Sequence, residues 1–312
     1  MGQESRRYCE NLASLANGLA GKGPPRNRFR HRLPDPRSVV DGWALLAIPG
    51  VLFLLGAFLL PMANMVWTSV SSPSPANYIH ILQSPPDLKA LSYTFFIAAM
   101  VTAVCVSIGY PWAYLMHHAS RVLRFVLMGL VLVPFWSSLL VRTYAWTVLL
   151  RPSGVMNYLV VNWFHVDPLP LMGNTFGIVT GMSQLLLPFL VLPLFAVMGR
   201  IDRNLVPAAE GLGANPLTAF RRVFFPLSRS GLFAGALLVF VLSVGFYITP
   251  AILGSQRQPM ISQAIVFQTN TVLDFGYASA LGVILLIVTL GLVWLGDRLV
   301  GIRQVLGYED LS

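Results

Sequence analysis

Charge is what this chain has least of. Only 11% of its 312 residues are charged, 12 of them acidic, and just two, Lys22 and Lys89, are lysines. A soluble globular domain has about a quarter of its residues charged. With 55% apolar residues and a mean hydropathy of +0.68, the chain reads as an integral membrane protein. Cysteine is scarce too: Cys9 lies in a polar tail and Cys105 in an apolar run, which excludes a disulfide scaffold. The five histidines, His31, His80, His117, His118 and His165, have no metal-ligand spacing, so no metal site is expected, and the adjacent pair reads as interfacial. A phosphate-binding Walker loop cannot be built, because Lys22 is followed by Gly23 and position 16 is Ala16. No Ser-His-Asp set, paired carboxylates or His-Glu-x-x-His run appears either. The chain is expected not to be an enzyme and to need no cofactor, so any energy must come from another polypeptide.

What is present is long apolar runs. Five segments carry roughly 18 or more residues with almost no charge: Trp43–Val70, Leu91–Met116, Asn174–Met198, Gly231–Gly254 and Phe275–Gly296. A sixth, Phe125–Leu150, contains one charge, Arg142. The expected fold class is all-α, a polytopic membrane protein with six transmembrane helices. Segments 71–90 and 255–274 read as outer loops. Within Arg151–Gly173 the apolar stretch Val155–Phe164 reads as a short interfacial helix.

The net charge of +9 is topological and does not point to nucleic acid. If the N-terminus is cytoplasmic, inner segments hold 17 of the 21 Lys and Arg residues, leaving Lys89, Arg142, Arg151 and Arg257 outside. That positive-inside bias predicts an N-in/C-in orientation. Residues 1–42 lack an apolar h-region and read as a disordered basic cytoplasmic tail, with anionic lipid as a possible contact. Residues 43–90 are expected to hold the first span and a periplasmic loop, 91–299 the core with its five further spans, and 300–312 a cytoplasmic tail.

Between the fourth and fifth spans lies NLVPAAEGLGANPLTAFRRVFFPL, Asn204–Leu227. A connecting loop needs only a few polar residues. This one carries apolar residues at helical spacing, Leu205, Ala208/Ala209, Leu212, Leu217 and Phe220, and so presents a face for a partner. Asn204 is placed to N-cap, Pro207 sits in the first turn and Glu210 lies near the positive helix end. Asn215-Pro216 should restart the helix, giving two short helices at an angle. Gly213 removes bulk where a protein surface would approach. An interfacial helix that merely re-enters the membrane is the alternative for this stretch.

Ala208-Ala209, three residues, Gly213, nine residues, then Val223-Phe224-Phe225-Pro226 resembles the EAA loop of ABC-importer permeases, with Pro207 where that motif has Glu. The resemblance implies a type I importer permease in a bacterial inner membrane. Its coupling helix, at about 204–222, would meet ATP-binding cassette ATPase subunits through Leu205, Ala208, Ala209, Glu210, Leu212, Gly213, Arg221, Arg222 and Pro226. A second homologous permease and a periplasmic solute-binding protein complete the implied machinery, with membrane lipid around it.

Two further stretches are similar to the spermidine/putrescine branch of these permeases. One is Arg142-Thr143-Tyr144-Ala145-Trp146 after Pro134-Phe135-Trp136. The other is Val244-Gly245-Phe246-Tyr247-Ile248-Thr249-Pro250. They mark Arg142, Tyr144, Trp146, Phe246 and Tyr247 as translocation-path candidates. An intramembrane charge is a functional hypothesis by default, yet Arg142 lies about 13 Å of helix from Arg151 and could instead snorkel outward. A polyamine path would want carboxylates or aromatic faces, and no acid lies inside a predicted span, Asp274 being nearest. The implied solute is a polyamine. The alternatives are another small solute on the same machinery (an amino-acid derivative, an opine or an organic anion) or an ion-coupled secondary carrier.

Overall fold

The computed structural model describes residues 36–71, 76–165, 167–255 and 257–300; most of the expected tails, 1–35 and 301–312, lies outside them. The chain divides after Pro61 into two compact units. To the described residues the first contributes only the start of α1 (Pro36–Ser71), a helix with Pro49 and Pro61 inside it. Residues 36–42 are helical.

The second unit continues with α2 (Ala76–Gln83), α3 (Pro85–His118), α4 (Arg121–Leu132), a 3-10 turn (Val133–Trp136), α5 (Leu139–Leu150), α6 (Val155–Phe164) and α7 (Thr175–Met198). Then come α8 (Leu205–Gly211), α9 (Pro216–Ala219), a π turn (Phe220–Phe224), α10 (Phe225–Val244), α11 (Ile248–Leu253), α12 (Ile261–Phe267), a second π turn (Gln268–Val272) and α13 (Phe275–Val300). Among the described residues there is no strand. Among the described residues five helices are long and apolar enough to cross a membrane, and a sixth crossing exists if one bent pair counts as a span. The expected interfacial helix Val155–Phe164 is α6, with the same bounds.

α7 is the axial helix. It is apolar all round, as a helix surrounded by protein should be, and Asn174 caps its start by accepting the Gly177 amide at 3.1 Å. Ile178, Met182, Leu190 and Leu194 are fully buried between α3 and α10. Close approach rests on small residues. A Cβ at Gly235 of α10 would lie 2.8 Å from the Leu190 carbonyl oxygen, and one at Gly109 of α3 would strike the Leu190 side chain. In a membrane, where lipid is as apolar as leucine, such contacts supply much of the helix association. Gly235→Val is expected to cost about 1–3 kcal/mol through overpacking, while Gly291→Val on α13, where a Cβ meets nothing within 4 Å, costs nothing measurable. Thermal denaturation of both variants in detergent, read by size-exclusion fluorescence, checks this.

Three sequence expectations need correction. The third span is not continuous: Arg121–Trp136 and Leu139–Trp163 meet at a 101° bend. Pro134 tightens the chain into a 3-10 turn, and Ser137 takes the Pro134 carbonyl with both its hydroxyl (2.7 Å) and its amide (3.2 Å), so the helix stops. The fifth span ends at Val244 and not Gly254, and its helical run reaches back to Pro216. Gly245–Tyr247 is a break before α11. Segment 255–274, expected as an outer loop, is no simple loop: Met260, Ile261 and Ser262 are buried, and the Ile261 amide donates to Thr94 Oγ1 of α3 at 2.8 Å.

Candidate functional site

The insert between α7 and α10 forms two short helices joined by a turn, as the Asn215-Pro216 pair predicts. Its start differs from expectation. Asn204 does not cap with its side chain; Asp202 Oδ1 accepts the Asn204 amide at 2.9 Å, and the Asp202 carbonyl accepts that of Leu205. Asp202 is therefore the residue that starts α8.

The spacing of Ala209 and Gly213 has a direct physical reading. The Gly213 amide donates to the Glu210 carbonyl (2.9 Å) and the Ala214 amide to the Ala209 carbonyl (3.1 Å). These are the two bonds of a Schellman C-cap, which requires a left-handed residue at Gly213's position. Gly213 indeed has φ +92°. A Cβ there would meet nothing within 4 Å, so it is the backbone conformation within the chain that calls for glycine. Asn215 Oδ1 then accepts the Thr218 amide at 2.7 Å and starts α9 behind Pro216.

The turn holds three leucines outward: Leu205 is 40% exposed, Leu217 60% and Leu212 91%. Ala208, Glu210 and Gly213 are also exposed, Ala209 is half-buried, and Arg221 and Arg222 are exposed. Phe220, expected on this face, instead packs inward against Tyr110, Tyr114 and Phe224. Pro226 lies in the first turn of α10. It offers no amide to the Arg222 carbonyl, and the π turn before it, closed by the Phe225 amide on the Phe220 carbonyl, widens the helix where the proline ring would crowd that carbonyl.

The path candidates fall into separate groups. On α5, Arg142 and Trp146 share a face, while Tyr144 is 60% exposed elsewhere. Trp146 Nε1 donates to Gln184 Oε1 of α7 at 3.4 Å. Arg142 is half-buried, and its Nε is buried without a hydrogen-bond partner among the described residues. Phe246 and Tyr247 occupy the break after α10; the Phe246 carbonyl accepts from Ser262 Oγ at 2.8 Å and Tyr247 is 38% exposed.

What joins the two signature stretches was not among the candidates. Thr143 Oγ1 and Thr249 Oγ1, both fully buried, lie 3.5 Å apart. Below them Gly181 of α7 lets α11 approach, since a Cβ there would lie 2.9 Å from Thr249 Cγ2. Threonine hydroxyls inside apolar runs were the signal that sequence reading passed over.

The acid deficit also changes. Because α3 begins at Pro85, Asp87 lies within a spanning helix, in its first turn. Its Oδ2 accepts the Tyr277 hydroxyl at 2.6 Å, and Asp274 Oδ1 accepts the Tyr277 amide at 2.8 Å. Both carboxylates line a recess of about 920 Å³ with His80, Gln263, Phe267 and Tyr277. Among the described residues no group of three potential metal ligands occurs.

Residues 109–302 match the family described as binding-protein-dependent transport system inner membrane component. The spermidine/putrescine transport system permease protein PotB of Escherichia coli K12 is 29% identical over 272 residues, 83% of this chain and 96% of that one. A probable molybdenum ABC transporter permease of Haloferax volcanii is likewise 29% identical, over 84% of this chain and 97% of its own. Among solved structures, a chain of a bacterial alginate ABC transporter in complex with an alginate-bound periplasmic protein superposes with a TM-score of 0.68 at 17% identity, covering 84% of this chain and 95% of that one. At that identity the likeness is one of fold.

Proposed function

The chain belongs to the family of binding-protein-dependent transport system inner membrane components, and from that premise we propose how this ABC-importer permease subunit works and what it carries. It is a multi-pass inner-membrane protein of a family that works with ATPase and periplasmic binding-protein partners. We assign Leu205–Leu217 as the surface on which the ATPase subunits seat, with both termini cytoplasmic as the distribution of arginines suggests. The observation that carries this reading is Leu212. A leucine 91% exposed on a rigid C-cap, in an insert between spans, is an apolar knob in want of a pocket. A second, homologous permease would complete the path. ATP-driven closure of the ATPase pair would then move the insert and switch the path between two accesses, a two-state element biased by ATP and by loaded receptor.

For the solute, a polyamine is the reading we favour. PotB supports it at 29% identity over most of both chains. The outer recess adds Asp87, Asp274 and the Tyr277 ring, which are the groups an organic ammonium needs. Another small solute is the second reading, because a probable molybdenum permease is also 29% identical over most of both chains.

The test is reconstitution. A tagged chain should co-purify with a P-loop ATPase, and proteoliposomes holding the assembly and its receptor should take up radiolabelled putrescine only with ATP inside. Uptake driven by a proton or sodium gradient with no ATPase present overturns the importer mechanism. A receptor that ignores putrescine and spermidine removes the polyamine and leaves the permease.

A further inference from the structure

The docking insert stands proud along Leu205–Leu217 but is fastened at both flanks, and both fastenings are to one place, the inner end of α3. A helix ends with carbonyls that have no partner in the helix. At α3 the Ala119 amide takes the Leu115 carbonyl, and two arginines take the next ones. Arg124, from the first turn of α4, donates Nε to the Met116 carbonyl (3.0 Å) and Nη2 to the carbonyls of His117 (3.5 Å) and Ala119 (3.2 Å). Arg203, from the lead-in to the insert, donates Nη2 to the same His117 carbonyl at 2.9 Å, across 86 residues of chain. Cations at a helix C-terminus also meet its negative dipole end.

The exit of the insert grips the same end by packing. Phe224, 1% exposed, lies edge-on to Tyr114 with ring centroids 5.0 Å apart and tilted against the buried His117 at 5.4 Å. Phe220 stands edge-on to Tyr114 at 5.3 Å and to Tyr110 at 6.1 Å. The π turn Phe220–Phe224 is what lets Phe220 and Phe225 both reach Tyr110, a local widening of the kind that marks functional helices. Further along α3, Tyr110 Oη and Ser228 Oγ are 2.9 Å apart. By contrast α8 buries none of its residues.

We propose that Arg203 and Phe224 are positioning residues of a joint that transmits the insert's movement to α3. Resting on the importer reading above, the proposal says which span the insert drives. A lever fastened at one flank only would pivot, whereas one fastened at both, to carbonyls and rings of a single helix end, carries that helix with it. Arg124 shares the His117 carbonyl but belongs to α4, so it caps α3 without tying it to the insert.

The experiment uses the assembled importer in nanodiscs, with spin labels at Ser107→Cys on α3 and Leu290→Cys on α13. Cys9 is replaced by Ser; Cys105 is fully buried and takes no label. Distances are compared between nucleotide-free and ATP–vanadate-trapped complexes. The parent should show a shift between the two states. Arg203→Ala should lose at least half of it while retaining its ATPase, whose hydrolysis then runs with less of the movement. Arg203→Lys, which keeps a donor, should restore it, and Arg124→Ala should keep it. Loss of a charge-assisted bond is worth about a tenfold change in a coupled equilibrium. The proposal is overturned by a parent without a shift, by an undiminished shift in Arg203→Ala, by equal loss in Arg124→Ala, or by an Arg203→Ala complex that sheds its ATPase. A parent chain that never binds an ATPase refutes the importer reading itself.

Discussion

Gly213→Leu is expected to insert into the membrane at parental levels, yet to co-purify with about a tenth or less of the parental ATPase and to lose uptake in proportion. Two effects add. Forcing a side chain to φ +92° costs about 1–3 kcal/mol, which the turn escapes by giving up the bonds to Glu210 and Ala209 that hold Leu212 outward. The new side chain also occupies the space a partner would fill, since nothing of this chain lies within 4 Å of its Cβ. Two companions separate these causes. Gly211→Leu adds bulk on the same exposed turn without a positive φ, and Gly213→Asn tolerates the left-handed region better than other residues do. If bulk alone matters, Gly211→Leu is the worse variant; if the backbone matters, Gly213→Asn stays near the parent. A Gly213→Leu chain that retains its ATPase and imports normally would sink the docking assignment.

The same turn shows what the sequence could and could not disclose. The number of residues between Ala209 and Gly213 was legible as a motif, and its cause is a C-cap whose register is set by chain geometry alone. Local signals of this kind survive without tertiary information: the restart at Asn215-Pro216 and the helix Val155–Phe164 both follow from nearest neighbours. What failed is of two kinds: local competitions that hydropathy and propensity do not rank, and partners far along the chain. An apolar run of 26 residues at Phe125–Leu150 looks like one span because hydropathy cannot see that Ser137 will take the Pro134 carbonyl with both its hydroxyl and its amide. Asp202 accepts the Asn204 amide while the Asn204 side chain caps nothing, a choice between two neighbouring polar residues that propensity does not rank. Phe220 fits the apolar periodicity of the docking face, but a π turn before Pro226 turns it toward Tyr110 and Tyr114. The Thr143–Thr249 contact spans 106 residues; each threonine stands out in its apolar run, but nothing local pairs the two.

Arg142→Leu is expected to stabilise the chain, or leave its stability unchanged, while reducing import at least about tenfold. Three costs fall on the native residue. A guanidinium within a membrane-spanning segment is disfavoured, by up to about 2.5–3.5 kcal/mol at the centre of a span on insertion scales. Arg142 sits in the first turn of α5, its amide bonded to the Ser138 carbonyl, where the helix dipole is positive. Its Nε is buried with no hydrogen bond from the described residues. Full snorkelling would remove the first and third costs, and the burial of Nε argues against it. A stabilising leucine would show that these costs are met by no structural return, so the charge is retained for a state the structure does not display, such as an occupied or outward-open path. A charged hydrogen bond made only in that state is worth roughly 1.5–3 kcal/mol, hence about ten- to a hundredfold in a rate. Arg142→Lys divides the possibilities further. It keeps the charge and loses the planar fork, so near-parental import would mean that charge alone suffices, and loss equal to that of leucine would mean that a bidentate contact is required. Melting temperature in detergent and uptake per ATPase, measured on the same preparations, decide the matter. An Arg142→Leu chain that melts several degrees lower and imports in proportion to its folded fraction would assign the arginine to the scaffold and remove it from the path.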